Sequence, residues 1–203
     1  MLRLISTADT EILAAAHARR ELGGDFPEVR CAQPMDDPAE FVAGARAVVV
    51  RLLGGRRAWP EGLAKLRAAC ERDGIALLAL GGEAEPDPEL AELSLAPAGA
   101  VAQAFEYLRH GGVENTRALL SFLADTFVLT GYGFAPPREL AEFGMYAPAD
   151  PDGRPRVGVV FYRSHFATGN TAFVDALAGA IERAGGQPVC VWAYSLRGDA
   201  PAL

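Results

Sequence analysis

Two rhythms of apolar residues alternate along this chain, one with the period of a strand and one with that of a helix. Leu2 to Ser6 (LRLIS) reads as a short strand. The Ser-Thr-Ala-Asp that follows opens a helix over roughly residues 10–22, with Asp9 able to cap it and Gly23-Gly24 ending it. Arg46 to Leu53 (RAVVVRLL) is the strongest strand, β-branched, largely apolar and suited to burial on both faces. Pro60 fits the first turn of a helix whose Leu63, Leu66, Ala69 and Cys70 lie along one face and which Gly74 closes. Ile75 to Leu80 is the next strand, stopped by Gly81-Gly82. Strand, loop and helix in this order predict a parallel sheet with helices on its faces.

From residue 87 to 129 the pattern turns helical. Val101, Phe105 and Leu108 share one face, and Leu119, Leu120, Leu123 and Phe127 share another, with Gly131 and Gly133 as terminators. Pro136, Pro137, Pro148, Pro151 and Pro155, with Gly144 and Gly153 between them, read as an ordered connector over 136–155. VGVVFY then forms a strand, 163–170 a loop, 171–184 a helix stopped by Gly185-Gly186, and PVCVWAY another strand. Two strands and one helix bury a single face. Either they join the first sheet or they begin a domain that is cut off; the small size of the unit favours truncation. The expectation is an α/β fold, a Rossmann- or flavodoxin-like parallel sheet with a helical segment over 1–135. The connector and the start of a second α/β domain over 156–203 follow it.

Composition narrows the classes. The chain has 203 residues, 50% hydrophobic and 22% charged, which is globular usage. No apolar run reaches the roughly 18 residues of a membrane span. The N-terminus lacks the continuous apolar core of a secretory signal, so a soluble cytoplasmic protein is expected. A net charge of −7 argues against general binding to nucleic acid or anionic membrane. Cys31, Cys70 and Cys190 are too scattered for metal ligation and fit buried thiols in a reducing compartment.

Three loops follow strand ends, where open α/β folds place ligands. In the first, Gly54-Gly55 turns the chain tightly among Arg51, Arg56 and Arg57, residues that suit two-pronged binding of carboxylates. Trp59 either offers a flat apolar face there or packs on the helix it begins. The second, Tyr162 to Thr171 (YRSHFATGNT), feeds a glycine-containing loop into a helix N-terminus, an arrangement that can bind anions. Its His165 can titrate near neutral pH or ligate a metal; Asn170 or Thr171 can equally be a simple helix cap. The third is Ser195-Leu196-Arg197. No paired carboxylates, nucleophile elbow or phosphate-binding lysine loop is present in the sequence, whose one lysine is Lys65.

Two resemblances bear on these loops. Thr168-Gly169-Asn170-Thr171 is similar to the phosphate loop of flavodoxins, which implies an FMN-binding redox domain. Phe166 and Ala167, however, replace polar phosphate-binding positions. The same stretch is similar to the cobalamin-binding Asp-x-His-x-x-Gly motif, except that Arg163 stands at the Asp and Gly169 lies one residue too far from His165. A longer resemblance covers nearly the whole chain. LRLISTADTEILAAA, VVVRLLGGRRAWPEGLAKLR, GIALLALGGEAEPDPELAELS, GGVENTRALLSFLADTFVLTGYGFAPP and VGVVFYRSHFATGNTAFVDAL resemble the start of the cobaltochelatase large subunit, the corrin counterpart of the magnesium-chelatase H subunit.

That resemblance implies an N-terminal portion of a tetrapyrrole-binding subunit of several times this length. Its family inserts Co²⁺ into hydrogenobyrinic acid a,c-diamide during aerobic cobalamin synthesis. Two smaller AAA+-type subunits would hydrolyse Mg·ATP, and this portion alone would bind no cofactor and be inactive. A corrin precursor carries carboxylates around an apolar disc. Arg51, Arg56, Arg57, Trp59, Arg163, Ser164 and Asn170 are therefore the expected substrate contacts, and His165 the candidate proton acceptor or transient metal holder. A pure subunit-interaction module is the alternative from another class.

Overall fold

Strands β1 (Leu2–Ser6), β2 (Val29–Ala32), β3 (Ala47–Leu52) and β4 (Ala76–Gly81) form a parallel sheet in the order β2-β1-β3-β4. The computed structural model describes residues 1–148 and 150–194. Two units divide the chain, Met1–Glu139 and Leu140–Leu203.

In the first unit the period of two sorts side chains onto two faces. Leu2, Leu4, Ala47, Val49, Leu78 and Leu80 enter one core; Ile5, Val48, Val50, Leu52, Leu77 and Ala79 enter the other. All six residues of β3 are buried, as its apolar run predicts. Each such Val or Leu stabilises the fold by roughly 1.5–3 kcal/mol on transfer from water.

Helices α1 (Asp9–Glu21), α5 (Ala98–His110) and α6 (Gly112–Leu123) supply Ala15, Ala18, Phe105, Leu108, Leu119 and Leu120 to the first core. Helices α2 (Ala39–Val42), α3 (Pro60–Asp73) and α4 (Pro88–Ala91) supply Val42, Leu63, Leu66 and Leu90 to the second. Helix α3 starts at Pro60 and stops at Gly74, whose left-handed φ of 64° lets its amide return to the Cys70 carbonyl. Helix α1 starts one residue earlier than its sequence suggests. Ala8 is the cap and Asp9 the first helical residue, accepting instead from Gln33 Nε2.

The outer edge of β4 is not left open. Ala79 N donates to Ser94 Oγ at 2.9 Å, and Leu95 N and Ala96 N donate to Leu77 O at 2.8 and 3.1 Å. These bonds blunt a strand edge that would otherwise invite pairing. Strand β2 (VRCA) escaped the sequence reading because four half-buried residues carry little periodicity.

The second unit has its own sheet, built from β5 (Phe143–Tyr146), β6 (Arg156–Tyr162) and β7 (Gln187–Ala193) in the order β5-β7-β6. Strands β6 and β7 are parallel, and β5 runs antiparallel to β7. They do not join the first sheet. Helices α7 (Arg163–Ala167) and α8 (Ala172–Arg183) lie between β6 and β7 in the chain. Phe161, Val174, Cys190 and Trp192 make the core on the α8 face. Two expectations change here. The 136–155 connector contains a strand, and the 163–170 loop contains a helical turn.

Candidate functional site

The first sheet reverses direction at β1, which has β2 on one side and β3 on the other. The carboxyl ends of β1 and β3 therefore flank the crevice where such folds receive ligands. Here the crevice is filled by the chain itself. Arg51 Nε lies 3.1 Å from Glu11 Oε1, and Arg51 Nη2 donates to Gly82 O at 3.2 Å. Ser6 Oγ donates to Glu11 Oε2 at 2.6 Å and accepts from Ala8 N at 3.0 Å. Burial raises the Glu11 pKa, against the opposing pull of the Arg51 charge and the Ser6 hydrogen bond. Arg51, expected among the substrate-binding arginines, is thus enclosed and already paired.

Trp59 is also not the exposed face that was one reading of the sequence. It is 8% exposed and packs with Leu63 and Leu66, and its Nε1 donates to Met35 O at 2.9 Å. Gly62 one turn later lets the indole in, since a Cβ there would lie 2.0 Å from Trp59 Nε1. With Trp59 pinned inward, the 3₁₀ turn Gly55–Ala58 projects from the surface and leaves Arg56 and Arg57 exposed. Neither makes an ion pair within the described residues. They are the two cations of this edge available to a ligand.

At the end of β4 opens a cavity of about 490 Å³ lined by Leu80, Gly81, Asp87, Gln103, Phe105 and Glu106 among others. Gly55 abuts it: a Cβ at that position would meet Asp87 Oδ2 at 2.8 Å. This cavity is mostly apolar, with the carboxylates of Asp87 and Glu106 on its lining, and favours uncharged surface. Arg56 lines a separate, smaller cavity of about 230 Å³ with Pro60, Leu63 and Glu71.

A feature that sequence reasoning passed over lies in TGYGF. After a π-type turn, Ala124–Val128, the chain reverses at Leu129 with a left-handed φ of 63°. Asp125 Oδ1 then accepts from Thr130 Oγ1, Gly131 N and Tyr132 N, each at 2.7 Å, and Oδ2 from Gly133 N at 2.7 Å. Burial pushes this carboxyl up, but those hydrogen bonds prevail and hold it below the usual aspartate value. The carboxylate fills an anion nest made by its own chain. The signal in the sequence was an Asp five residues before Thr-Gly-x-Gly.

In the second unit three amides of the loop that would cradle a phosphate are already engaged. Thr168 N donates to Ser164 O at 3.1 Å, Gly169 N to Phe166 O at 3.1 Å and Asn170 N to His165 O at 2.9 Å. That closes the local geometry behind the flavodoxin resemblance. Helix α8 has Thr171 at its cap position without a side-chain cap bond, and Tyr146 Oη bridges Thr171 Oγ1 and Asp175 Oδ1 at 3.2 and 2.9 Å.

His165 stands edge-on to Phe173, ring centroids 4.9 Å apart, and its buried Nδ1 has no hydrogen-bond partner among the described residues. Arg163 donates to the carbonyls of Leu140 and Ala141 and stacks on Tyr194 at 4.7 Å, so its charge is partly committed. Ser164 and Asn170 are exposed. Ser195, Leu196 and Arg197 lie outside the described residues. Among the described residues no cluster of three or more His, Cys, Asp or Glu could hold a metal, and no helix is long and apolar enough to cross a membrane. Burial pushes the Cys31 thiol up to about 11 and, with help from Asp73, the Cys70 thiol up to about 12, which disfavours the thiolate of both.

Residues 105–203 match the CobN/Magnesium Chelatase family. The chain is 30% identical to the aerobic cobaltochelatase subunit CobN of Pseudomonas aeruginosa, over 98% of its own length and 18% of that protein's. It is 29% identical to the subunit of the same name from a Sinorhizobium species, over 95% of this chain and 17% of the relative. The solved catalytic subunit of cobaltochelatase from Mycobacterium tuberculosis superposes with a TM-score of 0.78 at 38% identity, covering 98% of this chain and 16% of that one. The chain thus spans less than a fifth of the length of these relatives.

Proposed function

We propose, from the premise that the chain belongs to the CobN/magnesium chelatase family through residues 105–203, that it is part of the tetrapyrrole-binding large subunit of a cobaltochelatase. The observation that carries this reading is likeness over almost the entire chain, in sequence and in fold, to one kind of protein. The substrates are a carboxylated corrin precursor, hydrogenobyrinic acid a,c-diamide, and Co²⁺. Two smaller AAA+-type subunits supply ATP hydrolysis.

The residues have roles the chemistry requires. Arg56 and Arg57 hold ring carboxylates as charge-assisted, two-pronged donors at the edge of the first sheet. Insertion needs the ring's N–H protons removed as cobalt sheds water and takes their place. His165, in the short helix α7 directly beyond the end of β6, has a buried Nδ1 with no partner among the described residues, and its imidazole accepts a proton or holds the ion in passing. Ser164 and Asn170, exposed beside it, offer neutral hydrogen bonds to ring amides.

Reconstitution tests the reading. The complete large subunit with its two partner subunits, Mg·ATP, Co²⁺ and the corrin precursor should give the visible absorption change of a cobalt corrinoid. The 203-residue chain in its place should give none. Cobalt-free product from the complete mixture, or turnover on a porphyrin with Mg²⁺ instead, would remove the corrin and cobalt assignment.

A further inference from the structure

Strand β6 has the sequence of a central strand and the position of an edge strand. Arg156–Tyr162 (RVGVVFY) is apolar on both faces, the signature of a parallel strand buried from both sides. Yet it pairs with β7 alone, and its other edge has no strand beside it among the described residues. Val157, Val160 and Tyr162 are 42%, 56% and 53% exposed, where their neighbour Phe161 is 6% exposed. The outer edge of β4 is closed by Ser94 and Leu95; no such device protects β6 among the described residues.

The exposed apolar surface continues on both sides of that edge. On the α8 side, Phe173 lies over β6, its ring centroid 6.2 Å from that of Phe161, and it is half-exposed together with Leu177 one turn on. On the other face the register brings Met145, Val191 and Val160 into one row and Phe143, Ala193 and Tyr162 into the next. Among the described residues no helix of this unit covers those rows; Val191 at their centre is 7% exposed, but the outer members Phe143, Met145, Val160 and Tyr162 are all exposed.

Handedness ties the two vacancies together. The connection from β6 through α8 to β7 moves across the sheet in one direction and puts α8 on one face. A connection from β7 to a new parallel strand on the far side of β6 moves the opposite way. Parallel crossovers are right-handed in about 98% of cases, so its helix must lie on the opposite face. One helix-strand segment therefore closes the free edge and covers the bare face at once.

We infer that this surface receives a further segment of the same large-subunit polypeptide, an amphipathic helix leading into an apolar strand that pairs parallel to β6. The resulting order is β5-β7-β6-new strand. The large-subunit reading supplies the identity of the occupant, since relatives have more than four-fifths of their length outside this region's 16–18%. The vacant edge and face themselves stand on geometry alone.

Hydrogen exchange followed by mass spectrometry tests this on the 203-residue chain and on the complete large subunit. In the chain, the outward-pointing alternate amides of Val157–Phe161 exchange fast. In the complete subunit they slow by at least about 100-fold, the scale of an opening that requires a strand to detach. Val160→Asp leaves the melting of the 203-residue chain unchanged and abolishes the added protection in the complete subunit. Equal exchange in both proteins overturns the inference, as does protection already present in the monomeric chain. Protection that grows with concentration of the 203-residue chain overturns the choice of occupant in favour of a second copy. None of these readings depends on chelatase activity, so failure of the functional proposal leaves them separately decidable.

Discussion

Arg51 and Glu11 face each other across the carboxyl edge of the first sheet at 3.1 Å, both largely shielded from water, where the fold would otherwise hold an open crevice. The pair joins β3 to the first turn of α1, and Ser6 ties Glu11 to the end of β1. Removing one partner strands the other charge, so Arg51→Ala should cost about 3–5 kcal/mol, and the Arg51→Ala/Glu11→Gln double variant less than the two singles summed. Burial raises the Glu11 pKa, so the folded state favours its protonated form. That contribution is fully present below the unfolded carboxylate pKa and is lost as pH rises through the folded value. Without the Arg51 charge the folded value climbs further. The Arg51→Ala deficit in denaturant midpoint should therefore be small in acid and grow toward neutrality. A deficit independent of pH would show that the two side chains are not coupled.

Asp125 titrates the opposite way. Its carboxyl is held low by the Thr130, Tyr132, Gly133 and Gly131 hydrogen bonds, so the stability it contributes is present above the unfolded value and lost as pH falls through the folded one. Asp125→Asn keeps the shape but turns an NH₂ toward amide donors. With solvent screening allowed for, a loss of about 1–2 kcal/mol is expected, together with faster hydrogen exchange over residues 130–133. Unchanged exchange in that loop would mean that the nest does not depend on the charge.

The inward position of Trp59 depends on Gly62. Gly62→Ala would put a methyl group where the indole sits. Overpacking of this kind costs roughly 1–3 kcal/mol and should expel Trp59 toward solvent, with a red shift in its emission. Trp192 is the other tryptophan, so the spectrum should be compared in a Trp192→Phe background. Wild-type stability with unshifted emission would contradict the packing described.

Much of this fold was legible because three strands of the first sheet are buried on both sides and its helices carry clear stops. β1, β3, β4 and β6 announced themselves through continuous apolar runs, and Pro60 and Gly74 marked α3 within a residue. β2 and β5 did not, because four-residue strands of mixed exposure show no period, and β5 is set among prolines. The arginine loop was found, but its side chains could not be sorted by sequence. Arg51 occupies the last turnable position of a strand next to a buried Glu, whereas Arg56 and Arg57 follow two glycines with positive φ that carry them outward. The Asp125 nest was missed because its donors are backbone amides, which leave no trace in side-chain chemistry.

If His165 has the proposed role in proton transfer, its replacement separates binding from chemistry. In the complete subunit His165→Gln should leave corrin affinity within about twofold while slowing cobalt insertion by on the order of 10²–10⁴, the range typical for loss of a proton-transfer group. Equal loss of affinity and rate would make it a binding residue, and no loss of either would remove it from the site.

Arg56 and Arg57 are the exposed cations proposed to meet ring carboxylates. In the complete large subunit, corrin-precursor binding followed by fluorescence quenching should weaken about 10- to 150-fold for Arg56→Ala, the equivalent of one charge-assisted contact of roughly 1.5–3 kcal/mol. Arg56→Lys should recover only part, because an ammonium lacks the two-pronged fork. The loss should be largest at low salt, since a partly exposed pair is screened as ionic strength rises. Arg57→Ala and the double variant complete the set. A stepwise loss through these variants, with unchanged folding, is the result expected; affinity equal to wild type in all of them, at low salt, would contradict the account.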